Sequence, residues 1–510
     1  MNDNLHKYER YVNTGSETRW ATNDEIKNSS THIDIKSPKY ACAGLPLLSD
    51  GKTAYVDGKD THTIIFGATG SKKTRLFCMP MINMFAKAGE SFIATDPKGE
   101  LFEKTSGIMA ANGYDIIALN FRDIGKGAAW NPLALPYELY HNDRKEEAIA
   151  LLNDFVTTIA APQMESTQDV FWPQMASSFA LACLLLIMET ATKEQANVES
   201  LAIMCSEPED PKLKAIADMM DPSSLCAINF NGVLAAAPNT LRSIFVSLFG
   251  MIRIFNTQKS LTSMLSHNTI DMRMVGRRKT ALYIIVPDEK STYHFLVTMF
   301  IKQAYEILIN EAQKCEGKKL PVRVNFVLDE FCNIPKVPDM PSMISASRSR
   351  NMRYFLIAQS LHQLRGKYGE DADTIKGNCD NWVFLTSREL DLLEEISRLC
   401  GETTLPDGRT RRLISPSELQ RLNKEKGEAL ILHARQYPII TQIADIDMYE
   451  DFKGFKAPEL VHYGEQKTDS LIISNLYSKI KLGIIPVPFK KQMRSSTQMS
   501  TSQDSYSETE

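Results

Sequence analysis

Residues 62–66, HTIIF, run directly into Gly67-Ala68-Thr69-Gly70-Ser71-Lys72-Lys73-Thr74 and then into RLFCMPMINMF, residues 75–85. A short apolar run, a glycine-rich turn and a helical pattern form the strand–loop–helix context of a phosphate-binding loop. Glycines let backbone N–H groups converge on phosphate oxygens, and the start of the helix adds the positive end of its dipole. Gly67, Ala68, Thr69, Gly70, Ser71, Lys72, Lys73 and Thr74 are therefore the candidate nucleotide-binding residues. Lys73 is expected on the β- and γ-phosphates and the Thr74 hydroxyl on Mg²⁺. The pattern G-x-x-x-x-G-K-[ST] asks for glycine where this chain has Lys72. A side chain there either crowds the phosphates or occupies a backbone angle that glycine takes more cheaply.

Outward from this loop, the β-rich apolar runs 91–95, 115–119, 281–286, 322–328, 353–358, 381–385 and 429–433 read, with 62–66, as strands buried on both faces. Helical stretches such as 74–87 and 292–313 separate many of them, so an α/β fold is predicted. From about 135 to 222 only helical patterns occur, and this stretch reads as an inserted all-α domain. The expected division is an N-terminal soluble extension over 1–60, a P-loop nucleotide-binding domain over 61–134 and 223–454, the insert over 135–222, and a C-terminal extension over 455–510. The Ser/Thr-rich tail from about residue 490 is expected to be disordered.

The run 322–328 ends in Asp329-Glu330. Two carboxylates after a buried strand, in a chain that also carries a P-loop, predict an acidic pair in which Asp329 holds Mg²⁺ and Glu330 polarises the attacking water. Gln359, ending the run 353–358, is a candidate γ-phosphate sensor. Arg348 is a candidate arginine finger acting on a neighbouring subunit. The predicted catalytic set is Lys73, Asp329, Glu330, Arg348 and Gln359, with ATP and Mg²⁺ as cofactors.

Composition narrows the partners. With 58 Lys plus Arg against 62 Asp plus Glu, the net charge of −4 excludes a general polycation, so any DNA contact needs locally gathered charge. Three clusters qualify by sequence: Arg273 with 277–279, Arg348 to Arg353, and Arg409 with 411–412. The nine cysteines form no C-x-x-C pair, which argues against a zinc site and for a reducing compartment. The polar N-terminus has no apolar core of a signal peptide. The longest apolar run, 179–188, falls short of the roughly 20 residues that span a bilayer, so no transmembrane helix is expected.

The ordered set of motifs resembles the TraG/TraD-type coupling proteins of bacterial conjugation and type IV secretion. The resemblance rests on the P-loop unit, Asp96-Pro-Lys-Gly-Glu-Leu101, Trp130-Asn-Pro-Leu133, Phe171-Trp172, Leu328-Asp-Glu-Phe331, Ser347-Arg348, Ala358-Gln-Ser360, Gln363-Leu364, Tyr368-Gly-Glu370 and Ser415-Pro-Ser-Glu418. It is collinear over about residues 60–440. It implies a RecA/FtsK-like P-loop motor domain with an inserted all-α domain. It further implies a homo-hexameric ring at the inner face of the plasma membrane and ATP-dependent delivery of relaxosome DNA or protein cargo to secretion-channel proteins. The DNA is implied to be single-stranded and bound without sequence preference, and the relaxase is the implied protein partner. The family usually carries N-terminal transmembrane helices, so membrane contact is expected here through partner proteins or a separate anchor. Lys72 sets the alternative: a non-hydrolysing cargo receptor or scaffold with a degenerate P-loop.

Overall fold

The computed structural model describes residues 18–405, 407–461 and 467–490, which form two compact units. The expected disordered tail lies outside the described residues. Among the described residues, the first unit comprises 18–138, 258–405, 407–461 and 467–468.

Its centre is a nine-stranded sheet of β4 (Thr63–Phe66), β5 (Ser91–Asp96), β6 (Asp115–Asn120), β7 (Thr280–Ile285), β8 (Val324–Leu328), β9 (Met352–Ala358), β10 (Asn381–Phe384), β13 (Glu428–His433) and β14 (Ile439–Gln442). The spatial order is β14-β13-β10-β4-β9-β8-β5-β7-β6. The seven strands from β10 to β6 are parallel, and β13 and β14 add an antiparallel hairpin at one edge. All eight predicted runs are strands of this sheet. Strands β4, β5, β7, β8 and β9 are buried at every residue, which is why they read as unbroken apolar runs. β14 is short and escaped the sequence reading. A two-stranded ribbon, β11 (Glu402–Thr404) with β12 (Thr410–Arg412), precedes the edge hairpin.

The N-terminal region is more than a polar extension. Helix Asn23–Ser29 opens with a capping box between Thr22 and Glu25, and β1 (Thr31–Asp34), β2 (Leu45–Ser49) and β3 (Thr53–Asp57) form an antiparallel sheet in the order β1-β3-β2. Buried Arg353 fastens this sheet to the central one. Its guanidinium donates to the carbonyls of Ala43 (2.9 Å) and Lys59 (3.1 Å), to Glu90 Oε2 (2.6 Å) and to Asn325 Oδ1 (2.9 Å). Sequence periodicity could not register a sheet whose strands are held by a side chain three hundred residues away.

Among the described residues, the second unit comprises 139–257 and 469–490. It is larger than the predicted 135–222 insert. Helices Leu225–Leu234 and Pro238–Thr257 pack on Phe171–Thr190 rather than on the sheet, with Phe179 meeting Phe230 and Phe245 edge-on at 5.4 and 5.5 Å between ring centroids. The chain also returns to it. Leu471 N–H donates to Ser200 Oγ (2.8 Å), and helix Ile473–Lys481 packs on Pro211–Met219. Among the described residues, Phe171–Thr190 is the one single helix long and apolar enough to cross a membrane. About two thirds of its apolar window (67%) is buried inside the protein, as in a core helix.

Candidate nucleotide site

The P-loop leaves β4 and is pinned from both neighbouring strands. Gly67 N–H donates to Ala358 O at the end of β9 (3.2 Å), and Ala68 N–H donates to Thr386 O beyond β10 (2.8 Å). Gly67 has a steric reason to be glycine, since a Cβ would lie 2.5 Å from Ser71 Oγ. Lys73 is buried, and its ammonium donates to Gly67 O (2.7 Å) and Ala68 O (3.4 Å). The following turn, Thr74–Cys78, is π-helical before the regular helix Met79–Ala88. Pro80 lacks the N–H that would close an α-turn on Leu76, and such wide turns recur at functional sites.

Lys72 has φ +66°, in the left-handed region. For a residue with a Cβ this costs roughly 1–2 kcal/mol. The side chain leaves the loop outward. Its Nζ donates to Glu425 Oε2 (2.6 Å) and lies 3.7 Å from Asp445 Oδ2. Of the two possibilities open in the sequence, the structure has the second: the backbone angle is one that favours glycine, while the ammonium folds away from the loop.

Asp329 and Glu330 follow β8, two strands from β4, with Gln359 ending the intervening β9. Thr74 Oγ1 donates to Asp329 Oδ2 (3.0 Å), and Thr95 Oγ1 donates to Asp329 O (2.8 Å). Glu330 also has positive φ, +52°. Its Oε2 accepts from Gln359 Nε2 (2.6 Å), its Oε1 is 3.9 Å from Lys73 Nζ, and Gln359 Oε1 accepts from Thr69 Oγ1 (3.2 Å). A polar chain thus runs from the loop through Gln359 and Glu330 back to the loop lysine. Lys72 and Glu330 are two of the eight non-glycine residues with positive φ among the described residues, and at this site that strain accompanies the polar chain.

Burial pushes the Asp329 carboxyl up to about 6, with the neighbouring Glu330 charge adding to it and Lys73 and Thr74 opposing. Asp96 is also pushed up to about 6, again chiefly by burial. Its carboxylate accepts from the N–H groups of Leu101 (3.2 Å) and Phe102 (2.8 Å), so in Asp-Pro-Lys-Gly-Glu-Leu it caps helix Glu100–Ala111.

Arg348 is not brought to this cluster. It precedes β9, whereas the P-loop, Glu330 and Gln359 follow their strands. Seven residues of β9, roughly 23 Å of strand, separate the two ends. There it pairs with Asp380 at 2.8 Å. The basic clusters are likewise largely neutralised. Arg277 pairs with Glu311, Arg278 with Asp115, Arg409 with Asp407 and Arg412 with Glu394. Arg353 is buried, which removes it from any DNA-contacting surface.

Glu425 and Asp445 are site residues that the sequence reading missed. Glu425 sits in the 3-10 turn Lys424–Lys426 and Asp445 caps the turn Ile446–Met448, with no recognisable motif around either, and only the fold carries them to the loop.

The residues fit a magnesium–nucleotide. Lys73 is a buried cation whose close partners are backbone carbonyls, and Ser71 Oγ is buried without a hydrogen-bond partner. Gly70 has open space where a Cβ would stand. Thr74 and Asp329 offer hard oxygen donors side by side. Among the described residues no group of three or more His, Cys, Asp or Glu could hold a metal by itself, which suits a cation that shares its ligands with phosphates.

The profile of the family described as "Type IV secretory system Conjugative DNA transfer" matches residues 19–426. The chain is 24% identical over 363 residues to "Conjugal transfer protein TraG" of Agrobacterium fabrum, covering 69% of this chain and 52% of that protein. It is 22% identical over 489 residues to "Protein VirD4" of Rhizobium radiobacter, covering 92% and 66%. The chain therefore spans about half to two thirds of the length of these relatives. Among solved structures it is similar to the plasmid coupling protein TrwB in complex with a non-hydrolysable ATP analogue, with TM-score 0.61, 14% identity, and 87% of this chain and 96% of that one covered. It is also similar to TrwB in complex with ADP and Mg²⁺, with TM-score 0.60, 15% identity, and 87% and 95% covered. At such identities the likeness is one of fold, the RecA/FtsK-like P-loop α/β fold expected from the sequence.

Proposed function

Because this chain belongs to the type IV secretory system conjugative DNA transfer family, we propose that it is a coupling ATPase that uses Mg²⁺–ATP to drive cargo toward a secretion channel. The observation that carries the reading is the closed polar chain Thr69–Gln359–Glu330–Lys73, which links the phosphate loop to a carboxylate able to orient water. Lys73 and the loop N–H groups bind and orient the phosphates. Thr74 and Asp329 hold the cation, which when bound neutralises charge on the transferring phosphoryl group. Glu330 accepts the proton of the attacking water, and Gln359 fixes the Glu330 carboxylate.

Relaxosome DNA is the cargo this reading favours, handled by its backbone, with the relaxase and channel proteins as partners. The working form is a homo-hexamer, peripheral at the inner face of the plasma membrane. Arg348, remote from its own phosphate loop, acts in that ring only on a neighbour's. The test is an ATPase assay of the purified chain, with and without single-stranded DNA, beside a mass measurement of the oligomer. The second reading, a non-hydrolysing receptor, has one observation in its favour: Lys72 in a glycine conformation, held outward by Glu425. Mg²⁺–ATP binding without turnover in that assay selects it.

A further inference from the structure

The phosphate loop is gripped from outside by two carboxylates at the open end of the edge hairpin. Glu425 lies just before β13, and Asp445 just after β14. The hairpin closes tightly beneath them, with Ile443 N–H donating to Gly427 O at 2.9 Å. Gly427 is in the left-handed region, and a Cβ on it would come within 2.1 Å of Ile443 O. Asn423 Oδ1 accepts from the N–H groups of Glu425 (3.0 Å) and Lys426 (3.3 Å), which fixes the turn that presents Glu425. Asp445 is held by Arg75 of the π-helical turn, whose guanidinium also reaches Asp447 at 2.6 Å. Lys424 Nζ donates to Gly70 O at 3.3 Å. Thus the loop and the first turn after it each donate cations to a scaffold that belongs to the sheet.

We propose that Glu425 and Asp445 are positioning residues of the phosphate loop, acting through Lys72. They draw the Lys72 ammonium outward and so hold the backbone in the left-handed conformation that a glycine would adopt freely. The inference rests on the nucleotide-binding reading above and names a device particular to a loop with lysine at this position. Lys72 cannot both fold inward and keep its bond to Glu425. Holding it outward leaves the loop face to Lys73 and the backbone N–H groups. Because Glu425 is largely exposed, the ion pair is weakened by solvent and salt, so the effect on the loop is a several-fold one.

The test is a double-mutant cycle on the full chain with two readouts. The first is amide hydrogen exchange over residues 67–74 without nucleotide. Glu425→Gln is expected to speed exchange about fivefold. Glu425→Asp is expected to retain most of the protection, and Glu425→Gln in the Lys72→Gly background to change nothing further. Unchanged exchange in Glu425→Gln, or an equal effect in the Lys72→Gly background, overturns the proposal. Asp445→Asn also releases Arg75, so only the part of its effect that disappears in the Lys72→Gly background reports on the Lys72 contact. The second readout is Mg²⁺–ATP affinity, expected to fall about three- to fivefold in Glu425→Gln at low salt and to converge on the parent at high salt. If the parent binds no Mg²⁺–ATP, the nucleotide-binding reading fails, while the exchange cycle still decides the tether.

Discussion

Gln359 donates from Nε2 to Glu330 Oε2 at 2.6 Å, and its Oε1 accepts from Thr69 of the phosphate loop at 3.2 Å. One amide therefore reports on both sides of the site. It can serve both only with its oxygen toward the loop and its nitrogen toward the carboxylate.

Glu330→Gln is expected to keep Mg²⁺–ATP binding and to lower turnover by at least two orders of magnitude, the scale of a lost general base. Equilibrium binding and single-turnover hydrolysis measure the two halves. Turnover equal to the parent would remove Glu330 from the mechanism. Gln359→Ala should lower turnover less, because it frees the carboxylate without deleting it.

Arg348 lies at the opposite end of β9 from Gln359, and so from its own phosphate loop. In a ring, inactive Arg348→Ala subunits mixed with active ones should depress activity more steeply than dilution. A loss linear in the mixing ratio rejects the trans role and leaves Arg348 as the partner of Asp380.

The carboxyls of Asp329 and Asp96, both raised to about 6 from the ordinary aspartate value of 3.8, set a pH window. Between about 4 and 6 the native chain holds protons that the unfolded chain has released. The stability these groups contribute is therefore present below about 4 and lost as pH rises through 6. Cation binding at Asp329 runs the other way, because it needs the carboxylate. With ATP present, Mg²⁺ should raise the melting temperature above pH 6 and progressively less below it. In Asp329→Asn the Mg²⁺-dependent part of the rise with ATP should be absent at every pH.

Phe179 is fully buried between Phe230 and Phe245. Phe179→Ala should destabilise the helical unit by about 3–5 kcal/mol, read as an earlier urea transition of its helices. Mg²⁺–ATP affinity, which belongs to the other unit, should change little. A coincident loss of both would mean that the units unfold together.

The sequence alone determined the parallel core and the order of the site's motifs. Strands buried on both faces must be apolar throughout, so 62–66, 91–95 and 322–328 could be read without partners. The phosphate loop and the Asp329-Glu330 pair are local patterns, legible for the same reason. Only the tertiary structure decided what lies beside them. Glu425 and Asp445 reach Lys72 across more than 350 residues of chain. Arg353, read as a basic surface residue, became a buried fastener for the N-terminal sheet. Helices 225–234 and 238–257 joined the helical unit because Phe230 and Phe245 found Phe179. Charge and aromatic contacts between segments distant in sequence leave no period and no spacing to read. They exist only once the backbone has brought their carriers together.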